Sequence, residues 1–214
     1  MTIHHLSDEE LRARLTTCLS LPAGDAMKRG DFDLNPAWRE GEGAERKLRD
    51  AAVLVPIIER SVGLCVLFTR RADHLSSHAG QVSFPGGRAD DGDADAIATA
   101  LRETEEEVGL SRQFVVVAGA LDPYETGTGF SIKPIVGFVR EGFVLRADEA
   151  EVAEIFEVPL RFLMDPTNHE RHTRVWQGRE RHFYAMTFDG HYIWGATAGM
   201  LVNLYERLHC DFTA

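Results

Sequence analysis

Four glutamates, Glu103, Glu105, Glu106 and Glu107, fall within five positions directly after Arg102. Asp93 or Asp95 can cap a helix through this segment, and Gly109 can end it. On such a helix Ile97, Leu101, Thr104 and Val108 form one narrow stripe, which is expected to pack on the core. Counted from Ile97, Glu106 lies at about 180°, Glu103 at about 240° and Glu107 at about 280°. Three carboxylates then share the face away from that stripe, while Glu105, at about 80°, points elsewhere. Like charges at these spacings repel, so the face is either fully solvated or neutralised by a cation. Oxygen ligands without Cys or paired His suit a hard ion, Mg²⁺ or Mn²⁺, rather than zinc. Mg²⁺ takes one or two carboxylates and completes its shell with water and phosphate oxygens, so the chemistry would be phosphate processing. Taken alone, a Glu-rich stretch is more often a solvated acidic face.

The elements that must position this helix are legible on either side of it. Ser7 and Glu10 have capping-box spacing, Leu6 and Leu11 stand at hydrophobic-staple positions, and Leu11, Leu15, Cys18 and Leu19 recur at helical spacing before Pro22. From Ala23 to Asp50 the chain reads as a long connection. The apolar runs 51–58 and 63–69, separated by Glu59-Arg60-Ser61, predict a β-hairpin. Further strands are expected at 114–117 and 135–139, and a second hairpin joins 182–188 to 192–194 across Asp189-Gly190. Helical periodicity returns from about Ala196 to Leu208. Strands interrupted by helices predict one mixed α/β domain over residues 51–214, with residues 1–50 as an N-terminal helix and extension.

Composition narrows the partners. The 214 residues carry 23 basic and 34 acidic side chains, a net charge of −11. That balance argues against nucleic-acid polymers and anionic membrane surfaces. Three scattered cysteines, Cys18, Cys65 and Cys210, do not make a disulfide framework. No apolar run is long enough to span a membrane, and the amino terminus lacks a signal-peptide layout. A cytoplasmic protein is expected, with a homodimer among the states it could adopt. Residues 88–107 alone hold eight acids against two arginines. A divalent ion there would cancel much of this charge and allow a phosphate ligand.

The run Arg102-Glu103-Thr104-Glu105-Glu106-Glu107-Val108-Gly109-Leu110, preceded by Gly86-Gly87, closely resembles the signature box of the Nudix hydrolases. The loop between Gly87 and Arg102 is one residue longer than the standard box. Asp93 or Ala94, depending on where the gap is placed, therefore replaces the usual mid-box glutamate, and Thr104 takes an apolar position. The resemblance implies an α/β/α sandwich with a mixed β-sheet and a metal-binding loop–helix motif at residues 86–110. It also implies Glu103 and Glu107 as metal ligands, Glu106 as a further ligand or support, Arg102 as the residue that orients the carboxylates, and a metal contact from the Gly87 carbonyl.

Upstream, Leu67-Phe68-Thr69-Arg70-Arg71-Ala72 and Gly80-Gln81-Val82-Ser83-Phe84-Pro85-Gly86-Gly87 resemble the motif of the coenzyme A pyrophosphatase subgroup. The segments 128–137 and 151–160 fit the same subgroup, so the resemblance spans roughly residues 51 to 208. Ser76 stands where that motif often has an arginine. The resemblance implies Mg²⁺- or Mn²⁺-dependent hydrolysis of the pyrophosphate of coenzyme A or its thioesters, giving 4′-phosphopantetheine and 3′,5′-ADP. Arg71, Gly86 and Gly87 are the candidate substrate contacts, and Glu106 or Glu151 the candidate base. Two alternatives stay open: a Nudix hydrolase for ADP-ribose or a dinucleotide, or a catalytically silent nucleotide-binding module. Arg171, Arg174, Arg179 and Arg181 could meet phosphates, although a solvated hairpin face is the favoured reading; His169 and His172 are expected in structural or surface roles, and Cys65 in the core.

Overall fold

Residues 51–58 are apolar at almost every position, and a strand of that composition must be covered on both faces. In the computed structural model, which describes residues 6–20, 28–36, 47–176 and 178–209, this strand is the centre of the molecule. The chain order is α1 (Asp8–Ser20), β1 (Arg29–Gly30), β2 (Arg49–Arg60), β3 (Gly63–Arg71), β4 (Val82–Ser83), β5 (Gly86–Arg88) and α2 (Ala96–Val108). There follow β6 (Val115–Ala120), β7 (Tyr124–Glu125), β8 (Phe130–Val139), β9 (Val152–Pro159) and the short α3 (Leu160–Leu163). The chain then forms β10 (Glu170–Trp176), β11 (Arg179–Phe188), β12 (His191–Trp194) and α4 (Ala196–Leu208).

β2 runs parallel to β8, in register from Arg49↔Phe130 to Ile58↔Val139, and antiparallel to β3. β3 pairs in turn with β9, and β8 with β6, which makes the main sheet mixed. Alternation along β2 sends Val53, Val55 and Ile57 into a core shared with α1 and α4. Ala52, Leu54 and Ile58 face the opposite core with Ala100 and Val108 of α2. Helices on both faces of a mixed sheet give the expected α/β/α sandwich. A separate antiparallel sheet, β10–β11–β12, stands beside it.

Local signals account for most element ends. Ser7 Oγ accepts from the Glu10 N–H (3.2 Å) while Glu10 Oε2 accepts from the Ser7 N–H (2.7 Å), a reciprocal capping box. Asp189 (φ 46°) and Gly190 (φ 81°) both lie in the left-handed region, as the tight turn between β11 and β12 requires. The connection expected over 23–50 contains structure: Arg29–Gly30 pairs in parallel with Tyr124–Glu125 at the edge of the main sheet. Residues 23–27 and 37–46 of that segment, together with Leu21, Pro22 and Cys210, lie outside the described residues. Leu11 and Leu15 of α1 share the larger core with Val55 and Val66, which joins this helix to the sheet.

Candidate active site

The loop before α2 and the helix itself are built around one guanidinium. Asp95 caps the helix, accepting from the Ala98 N–H at 2.8 Å, and Gly109 (φ 68°) ends it. Asp93, two residues before the cap, accepts from Arg102 Nε (3.0 Å) and Nη2 (2.9 Å). The Asp90 N–H (3.0 Å) and Thr99 hydroxyl (2.9 Å) complete its bonds. Arg102 Nη1 donates onward to Glu103 (2.9 Å) and Glu106 (3.2 Å). Of Asp93 and Ala94, Asp93 is the one whose side chain reaches Arg102. Arg102 holds the Asp93 carboxyl well below the usual carboxylate range, and the pair holds Arg102 firmly charged.

Helix phase differs from the expectation. Thr99, Ala100, Thr104, Glu107 and Val108 are the buried residues of α2, while Ile97 is 37% exposed. The buried face is rotated by roughly 70° from the expected stripe, toward the glutamates. Strand β5 explains the rotation. It is mostly glycine, so the flank of α2 carrying Glu103 and Glu107 lies directly on it. A Cβ on Gly87 would sit 2.4 Å from Glu103 Oε2, and one on Gly86 would sit 2.4 Å from the Ala52 carbonyl oxygen. Glu107, expected to face away from the core, is therefore only 6% exposed and accepts the Gly86 N–H at 3.1 Å.

Burial of these acids has an electrostatic consequence. Desolvation pushes the Glu107 carboxyl up to about 7, against the Gly86 hydrogen bond and the positive charge of Arg71. The negative charges of Glu151 and Glu103 push in the same direction as burial. Glu103 is also raised by burial, opposed by its bond to Arg102. Among the described residues no three His, Cys, Asp or Glu side chains form a ready-made metal cage. Glu103 and Glu106 are turned to Arg102, and Glu107 to Gly86. The donor chemistry nevertheless fits a hard divalent ion, because every donor is a carboxylate oxygen and burial still raises Glu103 and Glu107 against the opposing charges of Arg102 and Arg71.

Glu151 comes from the loop that docks beside this helix. The Asp148 N–H donates to the Glu107 carbonyl (2.9 Å), and the Ala72 N–H donates to the Glu151 carbonyl (2.8 Å). The loop is thereby tied to both α2 and the end of β3, and the Glu151 charge reaches Glu103 and Glu107. Arg71, the last residue of β3, is half-buried, and its Nε is enclosed without an acceptor. It stands at the border between the carboxylates and a cleft of about 520 Å³, a size that suits a small-molecule ligand.

Of the four hairpin arginines, Arg174 and Arg181 line this cleft together with Arg71, Phe84, Phe183 and Trp194. Asp31 also lines the cleft; in the unpatterned stretch before residue 50, nothing in the sequence could have singled it out. Ser76 lies exposed on the loop after β3. His169 and His172 bind the Leu163 carbonyl and the pair Glu170 and Tyr192, and Cys65 is buried, all as expected.

Comparison with known proteins gives the family. Residues 47–184 match the model of the NUDIX domain. The chain is 41% identical to the uncharacterized Nudix hydrolase NudL of Yersinia pestis (strain Pestoides F) over 160 residues, 75% of this chain and 80% of that protein. The same identity and coverage hold for NudL of Yersinia pseudotuberculosis serotype O:1b. Among solved structures, a Caenorhabditis elegans Ap4A hydrolase complex is similar over 51% of this chain and 80% of that one, with TM-score 0.45 and 19% identity. A MutT protein from Methanosarcina mazei is similar over 57% and 84%, with TM-score 0.45 and 21% identity. The chain belongs to the Nudix hydrolase family.

Proposed function

We propose that this Nudix hydrolase cleaves the pyrophosphate bond of coenzyme A or its thioesters, giving 4′-phosphopantetheine (or its acyl form) and 3′,5′-ADP. The observation that carries this reading is Arg71, a guanidinium with an enclosed, unpaired Nε between the box carboxylates and the cleft. An arginine so placed is suited to a diphosphate oxygen, because a buried charged donor without an acceptor is costly unless a ligand supplies one.

Glu103 and Glu107, with Glu106 as a further donor, would hold Mg²⁺ or Mn²⁺, which when bound offsets the diphosphate charge. Arg102 fixes the orientation of Glu103 and Glu106 through Asp93. Gly86 and Gly87 bring the backbone of β5 against these acids, so that the diphosphate can approach them closely. Glu151, on its tethered loop, takes the proton of the attacking water; Glu106 is the alternative within the box. The substrate is a small molecule, and no helix of the described residues is long and apolar enough to cross a membrane.

Incubating the protein with Mn²⁺ and a panel of diphosphates, with products separated by chromatography, tests the reading. Preferential release of 3′,5′-ADP from coenzyme A is expected. Preferential hydrolysis of ADP-ribose or a dinucleotide would assign another substrate, and no turnover with Mg²⁺ or Mn²⁺ would make the chain a binding module.

A further inference from the structure

Arg174 and Arg181 are direct partners across the β10–β11 ladder. Directly opposite residues of an antiparallel pair emerge on the same face with their Cβ atoms about 5 Å apart, and like charges so placed repel. Both side chains line the 520 Å³ cleft, whose third arginine is Arg71 and whose lining carboxylate is Asp31. Three arginines against one carboxylate give this cleft a positive excess in a chain whose net charge is −11.

Asp31 does not neutralise the pair. Its side chain, 8% exposed, accepts from Arg181 Nη2 at 2.7 Å, from the Gly127 N–H at 2.8 Å and from the Tyr124 hydroxyl at 3.1 Å. It therefore fixes Arg181 in place, while among the described residues no carboxylate pairs with Arg174. The backbone beside Arg181 is fixed as well. Asn35 accepts the His182 N–H at 2.8 Å and donates to the His182 carbonyl at 2.8 Å. Next to the two arginines, Phe183 and Trp194 form an aromatic wall, with ring centroids 5.3 Å apart. Apolar ring surface and the Arg174 and Arg181 side chains in one cleft match a base-and-phosphate ligand.

We infer that the Arg174/Arg181 end of the cleft is a second anion subsite, which takes a phosphomonoester on the same nucleotide whose diphosphate lies at Arg71. The inference rests on the diphosphate reading above and narrows it to nucleotides that carry a phosphomonoester apart from the bridge. ADP-ribose has none, so the subsite selects against it. Asp31 is a positioning residue here, acting through Arg181, and gives the segment before residue 50 a part in substrate selection.

The test compares coenzyme A with 3′-dephospho-coenzyme A. In the wild type kcat/KM favours coenzyme A, and Arg174→Gln lowers that ratio roughly tenfold to a hundredfold, the scale of a charged hydrogen bond. Arg174 is exposed, so this substitution leaves the core untouched. Asp31→Asn lowers the same ratio, a discrimination that general loosening of the fold does not move. Arg179→Gln, on the same strand pair but outside the cleft, leaves it unchanged. An unchanged ratio in Arg174→Gln overturns the subsite. Calorimetry with adenosine 3′,5′-bisphosphate and AMP keeps the test independent of turnover. Tighter binding of the bisphosphate, lost in Arg174→Gln, supports the subsite even if neither coenzyme A form is hydrolysed. Equal binding of the two nucleotides by the wild type rejects it.

Discussion

Glu107→Gln separates the electrostatics of this helix from its packing. The wild-type carboxyl is 6% exposed, and its folded-state pKa of about 7 stands above the ordinary value of 4.5. Between those two values the folded protein binds more protons at this site than the unfolded chain does. The stability linked to Glu107 is thus fully present below about pH 4.5 and is lost as pH rises through about 7. The full loss amounts to about 3 kcal/mol as an upper bound. Glutamine keeps an oxygen for the Gly86 N–H and carries no charge. In EDTA at pH 8, urea or thermal denaturation is therefore expected to show Glu107→Gln more stable than wild type by up to about 3 kcal/mol, roughly 5–10 °C in Tm. The difference should shrink toward zero near pH 4.5. Mn²⁺ should then stabilise the wild type and leave the variant nearly unmoved. A variant that is less stable than wild type in EDTA at pH 8, or one with the same pH dependence, would refute the reasoning.

Other expectations follow from the same contacts. Gly87→Ala places a methyl group 2.4 Å from Glu103 Oε2, so the Mn²⁺-dependent Tm increase should be lost even where the variant remains folded. Arg102→Lys cannot reproduce the two-pronged bond to Asp93 together with bonds to Glu103 and Glu106. Its steady-state kcat should fall about tenfold to a hundredfold, by loss of one or two charged hydrogen bonds. Glu151→Gln should reduce kcat at saturating metal by roughly 10²–10⁴ and remove the acid limb of the pH–rate profile. An unchanged rate and profile would reject Glu151 as the base.

The parts of the fold readable in advance are those fixed by local chemistry. The Ser7–Glu10 box, the Asp189-Gly190 turn and the apolar runs of β2 and β3 each carry their own signal. The Arg29–Gly30 strand carries none, because its pairing depends on the edge offered by Tyr124–Glu125. In the candidate site, the family box was legible but the phase of α2 was not. A helical wheel assumes that glutamates face outward, and it contains no record of a glycine strand beneath them. The Arg174–Arg181 pair had a similar cause. Four arginines in eleven residues leave a solvated face and a phosphate contact both open until the strand register places two of them opposite each other in a cleft.

The most direct measurement is metal-dependent release of 3′,5′-ADP from coenzyme A by the wild type, Glu103→Gln and Glu107→Gln proteins, titrated with Mn²⁺ at fixed substrate. A saturable rise in rate for the wild type, absent from both variants while they remain folded, is the expected result. Metal-independent turnover, or variants that keep the wild-type response to Mn²⁺, would contradict the assignment of these carboxylates to a metal-dependent diphosphatase site.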